Sequence, residues 1–254
     1  MSAPSVRVER YAEVCSTNDT AKARARAGAR PPFWICAERQ TAGRGRRGRV
    51  WTHQPGNLAA SAVYPRAGQP EPLSGFALLA GLAIAEALDG YLEPARIHLK
   101  WPNDVLVDGA KIAGVLIETE GVGDAGWLVI GIGVNVSAHP SGLDRAVTDL
   151  TQALGEPAPS PDAVLDRLVD RFEARRRGWL GAGFPALKQA WAARAHPVGA
   201  PVKVSDADPP LEGVFAGLDA AGALRLTLNS GETRTISAGD VVFGQEGPAH
   251  AARD

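Results

Sequence analysis

The chain has 254 residues, 45% of them hydrophobic and 22% charged, enough to bury one large core or a medium core beside a small one. That balance excludes a disordered or collagen-like chain. Its 27 basic and 28 acidic side chains leave a net charge of -1, so the basic excess of a general nucleic-acid binder is missing.

The N-terminal residues alternate charge with apolar side chains and lack the apolar core of a signal peptide. Period-two alternation predicts a strand over residues 6–11. Ser16-Thr17-Asn18-Asp19 offers N-cap side chains to a helix over residues 20–27. An apolar run predicts a buried strand over 33–38, residues 40–51 are dense in glycine and arginine, and 57–64 is again strand-like. Ser74 can cap a helix whose Phe76, Leu79, Ala83, Ile84 and Leu88 recur at helical spacing. That stretch is the longest apolar one and is too short to span a bilayer, so no membrane association and a cytoplasmic location are expected.

Further strands are predicted over 96–100, 111–119 and 127–136, the last two joined by a hairpin connection at 120–126. Ser160-Pro161-Asp162 opens a helix with an inner stripe of Val164, Leu165, Leu168, Val169 and Phe172. Arg175, Arg176 and Arg177 fall near its end and read as a solvated face that complements the helix dipole. From His196-Pro197 the helical period disappears. Short strands at 202–204, 213–218, 224–228 and 234–236 predict a small β-barrel, too small to be very stable unless docked on its neighbour.

Residues 43–51, Gly-Arg-Gly-Arg-Arg-Gly-Arg-Val-Trp, are the sharpest local feature. Four clustered guanidinium groups repel one another unless anions neutralise them, and the glycines let backbone approach a ligand. Guanidinium forks match phosphate or carboxylate oxygens, so the loop points to an anion, without saying which. Such a loop is expected to be mobile when empty, with Arg46 exposed. A second cluster, Lys100-Trp101-Pro102-Asn103-Asp104, ends a strand at a proline, where Lys100 can bridge two anionic reactants or can be an ordinary surface lysine. A third, Gly131-Ile132-Gly133-Val134-Asn135, places glycines in an apolar strand, the mark of a bulge or of a close ligand. Gly121, Gly123 and Gly126 match G-x-G-x-x-G literally, but a strand follows, so no helix N-terminus would meet a pyrophosphate. Cys15 and Cys36 form no Cys-x-x-Cys pair and read as reduced thiols, and the five histidines have no metal-ligand spacing. No metal ligands are assigned.

Ser16-Thr17-Asn18, Gln40, GRGRRGRVW at 43–51, KWPND at 100–104, KIAG at 111–114 and GIGVN at 131–135 together resemble the biotin protein ligase family, in order and over nearly the whole chain. The resemblance implies an α+β fold, a mixed β-sheet backed by helices as in class II aminoacyl-tRNA synthetases, plus a small C-terminal SH3-like β-barrel. It implies a catalytic domain at 1–195, the barrel at 196–247 and a tail at 248–254. The implied reaction joins biotin to ATP as biotinyl-5′-adenylate, then transfers biotin to a lysine of a biotin carboxyl carrier protein.

By that resemblance Lys100 and Arg46 are catalytic. Ser16, Thr17, Asn18, Gln40, Gly43, Arg44, Gly45, Arg46, Lys100, Gly114, Gly131 and Gly133 surround biotin. Arg46, Arg47, Arg49, Trp51, Asn103, Lys111 and Asn135 lie on the ATP side, with Mg²⁺ accompanying the nucleotide on its phosphates. The hydroxyls and amides suit a neutral ureido ring, and fixed cations suit the meeting of a carboxylate with a polyanion. About fifteen residues precede the first motif, too few for a helix-turn-helix unit, so a DNA-binding repressor role is not expected. A monomer and a homodimer both fit. Thr52-His53-Gln54 departs from the serine-containing segment expected after the tryptophan. A lipoate or octanoate ligase is the competing enzyme, though it is not expected to carry GRGRRGR, and a non-catalytic RNA-binding module is the competing binder.

Overall fold

Alternation along the strands decides which helices each face of the main sheet receives. The computed structural model of the protein describes residues 6–70, 72–121 and 126–244. In chain order its elements are β1 (Arg7–Val14), α1 (Thr17–Arg26), β2 (Phe33–Gln40), β3 (Leu58–Pro65), α2 (Gly75–Leu88), β4 (Ile97–Lys100), β5 (Asp104–Val107), β6 (Ala110–Glu120) and β7 (Trp127–Val134). After these come α3 (Leu150–Leu154), α4 (Pro161–Ala192), β8 (Pro201–Val204), β9 (Leu211–Leu218), β10 (Leu224–Leu228), β11 (Thr233–Ile236) and β12 (Val241–Phe243).

The main sheet has the order β1-β2-β3-β7-β6-β5-β4. Only β1 and β2 run parallel, joined through α1, and the other neighbours are antiparallel. Phe33 and Ile35 of β2, with Val63 and Val129, pack on Ala21 and Ala25 of α1. The alternate residues Trp34, Cys36, Ala60, Ala62 and Tyr64 join the larger core beneath α2 and α4. Being buried on both faces makes β2 read as a continuous apolar run instead of an alternating one. Burial pushes the Cys36 thiol up to about 11, so it stays protonated.

Helix α4 starts where the sequence predicts, with Ser160 Oγ accepting from Ala163 N at 3.2 Å. It then runs well past the arginine triplet, turning at left-handed Gly183 before Pro185. The expectation that the triplet is a solvated face is corrected by what two of its members touch. Arg175 pairs with Glu86, while Arg176 lies 4.9 Å over the Tyr64 ring and bonds Gln69 at 3.3 Å. Arg177 alone of the three is exposed.

The C-terminal strands form a five-stranded antiparallel sheet, β11-β10-β9-β8-β12. Its Phe215, Leu224, Leu226, Val241 and Phe243 belong to the same buried cluster as the main core. The junction is also polar: Trp101 Nε1 donates to Gly222 O at 3.1 Å, Lys188 Nζ to Asp219 O at 2.7 Å, and Ser74 Oγ to Ala221 O at 3.0 Å. Strands β5 and β12 are additions to the strands predicted from sequence. The hairpin expected at 120–126 joins antiparallel β6 and β7, but residues 122–125 lie outside the described residues, as does the expected tail at 248–254. Among the described residues no helix is long and apolar enough to cross a membrane.

Candidate active site

Helix α1 covers only part of its face of the sheet, and where it stops the strands β6 and β7 carry glycine. A Cβ on Gly131 would stand 2.4 Å from Asn18 Oδ1, and one on Gly133 would stand 2.4 Å from Trp51 Cε2. The strands thus lack side chains where the first turn of α1 and the indole of Trp51 come down. What remains open is a cleft of about 490 Å³, within the usual range for small-molecule sites.

One end of the cleft is neutral and polar. Thr17 N and Oγ1 both donate to Gln40 Oε1, at 2.8 and 3.1 Å, joining α1 to the end of β2. Buried Ser61 sits behind them, its Oγ 2.8 Å from Thr17 Oγ1 and 2.6 Å from Asn18 Oδ1. Asn18 Nδ2 donates to Glu118 Oε2 at 2.7 Å, and Glu118 pairs with Lys22 at 2.8 Å.

The arginine–glycine loop closes over this end as a small hairpin. Arg44 and Val50 form an antiparallel bridge, Gly45 N donates to Arg49 O at 2.7 Å, and Trp51 N to Gly43 O at 2.9 Å. Gly43 must be glycine there, since a Cβ would lie 2.5 Å from Trp51 O. Carboxylates of the chain itself neutralise the guanidinium groups. Arg44 grips Asp19 through two 2.6 Å bonds and holds that carboxyl below the usual range. Arg47 pairs with Asp206, and Arg49 with Asp240 at 2.7 Å, both partners belonging to the C-terminal part. Arg46 is half-buried, 3.2 Å from Asn103 Oδ1 and 3.3 Å from Gly239 O, which corrects the expectation that it is exposed when the cleft is empty.

The opposite wall is the β4–β5 hairpin, in which Lys100 faces Asp104 across the turn. Half-buried Lys100 lines the cleft together with the polar end and the arginines. Asn103 is bolted to β6 by its Nδ2 donating to Val115 O at 2.6 Å and its O accepting from Val115 N at 3.0 Å. Lys111 is buried, paired with Asp104, and 5.6 Å from the centre of the Trp51 ring. Burial pushes its ammonium below the usual lysine range, and the Asp104 carboxylate opposes that shift. The rim is completed by Asp144, Arg145 and Ala146, whose segment bonds to the backbone of Lys111.

A neutral polar end followed by a run of fixed cations is the layout needed to hold a carboxylic acid against a nucleotide. Residues 12–135 match the Biotin/lipoate A/B protein ligase family, and residues 198–244 match the Biotin protein ligase C terminal domain. A biotin--[acetyl-CoA-carboxylase] ligase of Paracoccus denitrificans is 38% identical over 218 residues, 83% of this chain and 90% of that protein. The chain belongs to the biotin protein ligase family. A second family member, from Mycobacterium tuberculosis, is 36% identical over 237 residues, covering 91% of this chain and 86% of its own. Among solved structures, the Aquifex aeolicus biotin protein ligase in complex with biotin and ATP is similar with a TM-score of 0.79 at 28% identity, covering 93% of this chain and 98% of that one.

Most residues expected from the family motifs meet in the cleft. Ser16, Thr17, Asn18, Gln40, Arg44, Gly45, Arg46, Arg49, Trp51, Lys100, Asn103, Lys111, Gly114, Gly131 and Gly133 all line it. Gly43 shapes the loop base, and Arg47 faces the C-terminal sheet through Asp206. Asn135 is buried, its Nδ2 donating to Thr148 O at 3.0 Å, and is not among the lining residues. Within the cleft, Asn18 lies against Gly131 and the indole of Trp51 against Gly133. His53, in the segment that departs from the family pattern, anchors to Glu38 O at 3.0 Å.

Asp19, Ser61, Glu118, Arg145, Asp206 and Asp240 carry the site's charge and polarity and were not anticipated. Clustered arginines in a near-neutral chain do signal that acidic partners exist, but nothing local in sequence names them.

Proposed function

We propose that the protein is an ATP-dependent biotin protein ligase that makes biotinyl-5′-adenylate and transfers biotin to a lysine of a biotin carboxyl carrier protein. The observation that carries this reading is one cleft lined both by the neutral Thr17 and Gln40 and by the cationic Lys100, Arg46, Arg49 and Lys111. Thr17, Gln40 and Ser16 hold the ureido ring, which offers two N–H donors and one carbonyl. Lys100 stands where the carboxylate would meet the α-phosphate, lowering the repulsion between two anions as the bond forms. Arg46 and Arg49, with Arg47 behind them, and Lys111 stabilise the charge that moves to the leaving pyrophosphate. Trp51 supplies a flat face for the adenine. Asn135 acts from behind the cleft as a strut. We divide the chain into a catalytic domain at 1–195 and a C-terminal SH3-like domain at 196–247.

Mg²⁺ enters with ATP, on its phosphates. The carboxylates beside the cleft fit that arrangement and not a protein-held ion, because Asp104 is engaged by Lys111 and Asp240 by Arg49. The ligase works in the cytoplasm, where ATP and reduced thiols are available, without DNA or membrane partners. The test is to mix the protein with ATP, Mg²⁺, biotin and a purified carrier domain. The acceptor should gain the mass of one biotinyl group per molecule, and lipoate or octanoate in place of biotin should leave it unmodified. An acceptor that keeps its mass with biotin overturns the reading.

A further inference from the structure

We infer that Asp240, a carboxylate of the C-terminal sheet, tempers the cations around the leaving pyrophosphate and so sets how readily that product departs. The inference rests on the ligase reading and deepens it. Among the described residues, Arg46 meets neutral acceptors within hydrogen-bond distance, Asn103 Oδ1 at 3.2 Å and Gly239 O at 3.3 Å. Arg49 meets the next residue of the same turn, its Nη2 donating to Asp240 Oδ1 at 2.7 Å. The other oxygen of that carboxylate is 3.8 Å from Arg47 Nη1, and Asp240 itself lines the cleft.

The carboxylate is presented from a fixed backbone. Asp240 N donates to Asp206 Oδ1 at 2.9 Å, while Asp240 O accepts from Ser205 N at 3.0 Å and from Ser205 Oγ at 3.2 Å. Both ends of the residue are thus bolted to the turn after β8, and its short side chain stays beside the arginines. A phosphate that approaches Arg49 meets an ion pair instead of a bare cation, and Asp240 repels it directly. A guanidinium has donors enough to hold both anions, so the effect is one of charge and not of displacement. The reaction gives that charge a use. Pyrophosphate formed beside Arg46, Arg49 and Lys111 keeps the negative charge that those cations stabilise as the bond breaks, and slow product release limits turnover. A fixed carboxylate beside the same cations weakens their hold on it.

Asp240→Asn keeps an oxygen for Arg49 and both backbone ties, and removes the charge. Arg47 retains Asp206, so the hairpin stays joined to the C-terminal sheet. Calorimetric titration with inorganic pyrophosphate in the absence of Mg²⁺ should show about three- to tenfold tighter binding than wild type, as expected for one partly screened charge. The gap should shrink below about twofold in roughly 1 M salt, where the Debye length falls to about 3 Å. In the acceptor-biotinylation assay, pyrophosphate should inhibit the variant at correspondingly lower concentration, while biotin affinity stays within about twofold of wild type. Glu232→Gln, which removes a carboxylate paired with Arg234 between β10 and β11, should match wild type throughout. Damage to the fold lowers affinity, so a gain in pyrophosphate binding separates this role from a structural one. Equal or weaker pyrophosphate binding in Asp240→Asn, a gap that persists at high salt, or the same gain in Glu232→Gln would overturn the inference. If the wild-type protein makes no adenylate from biotin and ATP, the ligase reading falls and this inference falls with it.

Discussion

At the scale of single residues, the cleft works by placing charge where the chain gives it no easy solvation. Lys100 ends β4 at a turn against Asp104, so its ammonium is delivered by a strand and not by a flexible loop. Lys100→Ala should lower the rate of biotin-dependent pyrophosphate exchange by about two to three orders of magnitude, the usual effect of removing one donor aimed at developing charge. The melting temperature should hardly move, and near-normal exchange would show that the key cation lies elsewhere. Gly133 offers a steric counterpart, because its added Cβ would meet three indole atoms of Trp51 between 2.4 and 2.6 Å. Gly133→Ala should cost about 1–3 kcal/mol as an overpacked site or displace the indole. Either result raises the KM for ATP more than that for biotin, as paired initial-rate measurements would show.

At the scale of elements, the arginine–glycine loop is a hairpin held shut by anions of its own protein. Asp19 of α1 takes Arg44, while Asp206 and Asp240 take Arg47 and Arg49. Like-charge repulsion, which by itself predicts an unfixed loop, is thereby offset. These pairs are partly exposed, so each is worth about 1 kcal/mol or less. Asp206→Asn with Asp240→Asn should therefore speed trypsin cleavage after Arg47 and Arg49 by several-fold in the ligand-free protein. Biotin with ATP should restore protection, because phosphate oxygens replace the lost carboxylates. Cleavage that ignores the substitutions would mean that the hairpin's backbone bonds alone keep it closed.

The same loop shows how far the sequence could be read. Its anion-binding chemistry was legible because three glycines and four arginines in nine residues admit few other uses. The identity of its partners was not, because Arg49 and Asp240 are 191 positions apart. Strand β5 is not legible in sequence because its four residues start inside the Lys-Trp-Pro-Asn-Asp turn, nor is β12, because three residues carry no measurable period. Helix α4 continues past its arginines, and local sequence does not reveal this because Glu86, Gln69 and the Tyr64 ring that meet them are distant in the chain.

At the scale of the whole molecule, the C-terminal sheet and the main sheet share one continuous core, with Phe184 and Leu78 closing around Gly222 and the Trp101 indole bonded across the seam. The linker between them is also paired to the active site: Leu99 N donates to Arg194 O at 2.8 Å, one residue before Lys100. His196 follows, stacked on Phe243 with ring centres 3.7 Å apart. Burial first, then the positive charges of Lys100 and His98, lower its pKa from 6.5 to about 4. Between those values the unfolded chain holds a proton that the native protein does not, so acid favours unfolding. Stability from this group is complete above about pH 6.5, is lost as pH falls towards 4, and amounts to about 3 kcal/mol at most. His196→Phe removes the titration and keeps an aromatic stack. Urea unfolding of the two proteins at pH 7 and pH 5 should show the wild type losing more stability than the variant across that interval. A single cooperative transition is expected at both pH values, because the seam is core and not linker. Equal losses in the two proteins would mean that His196 takes up its proton in the native state without strain, and two separate transitions would mean that the sheets fold apart.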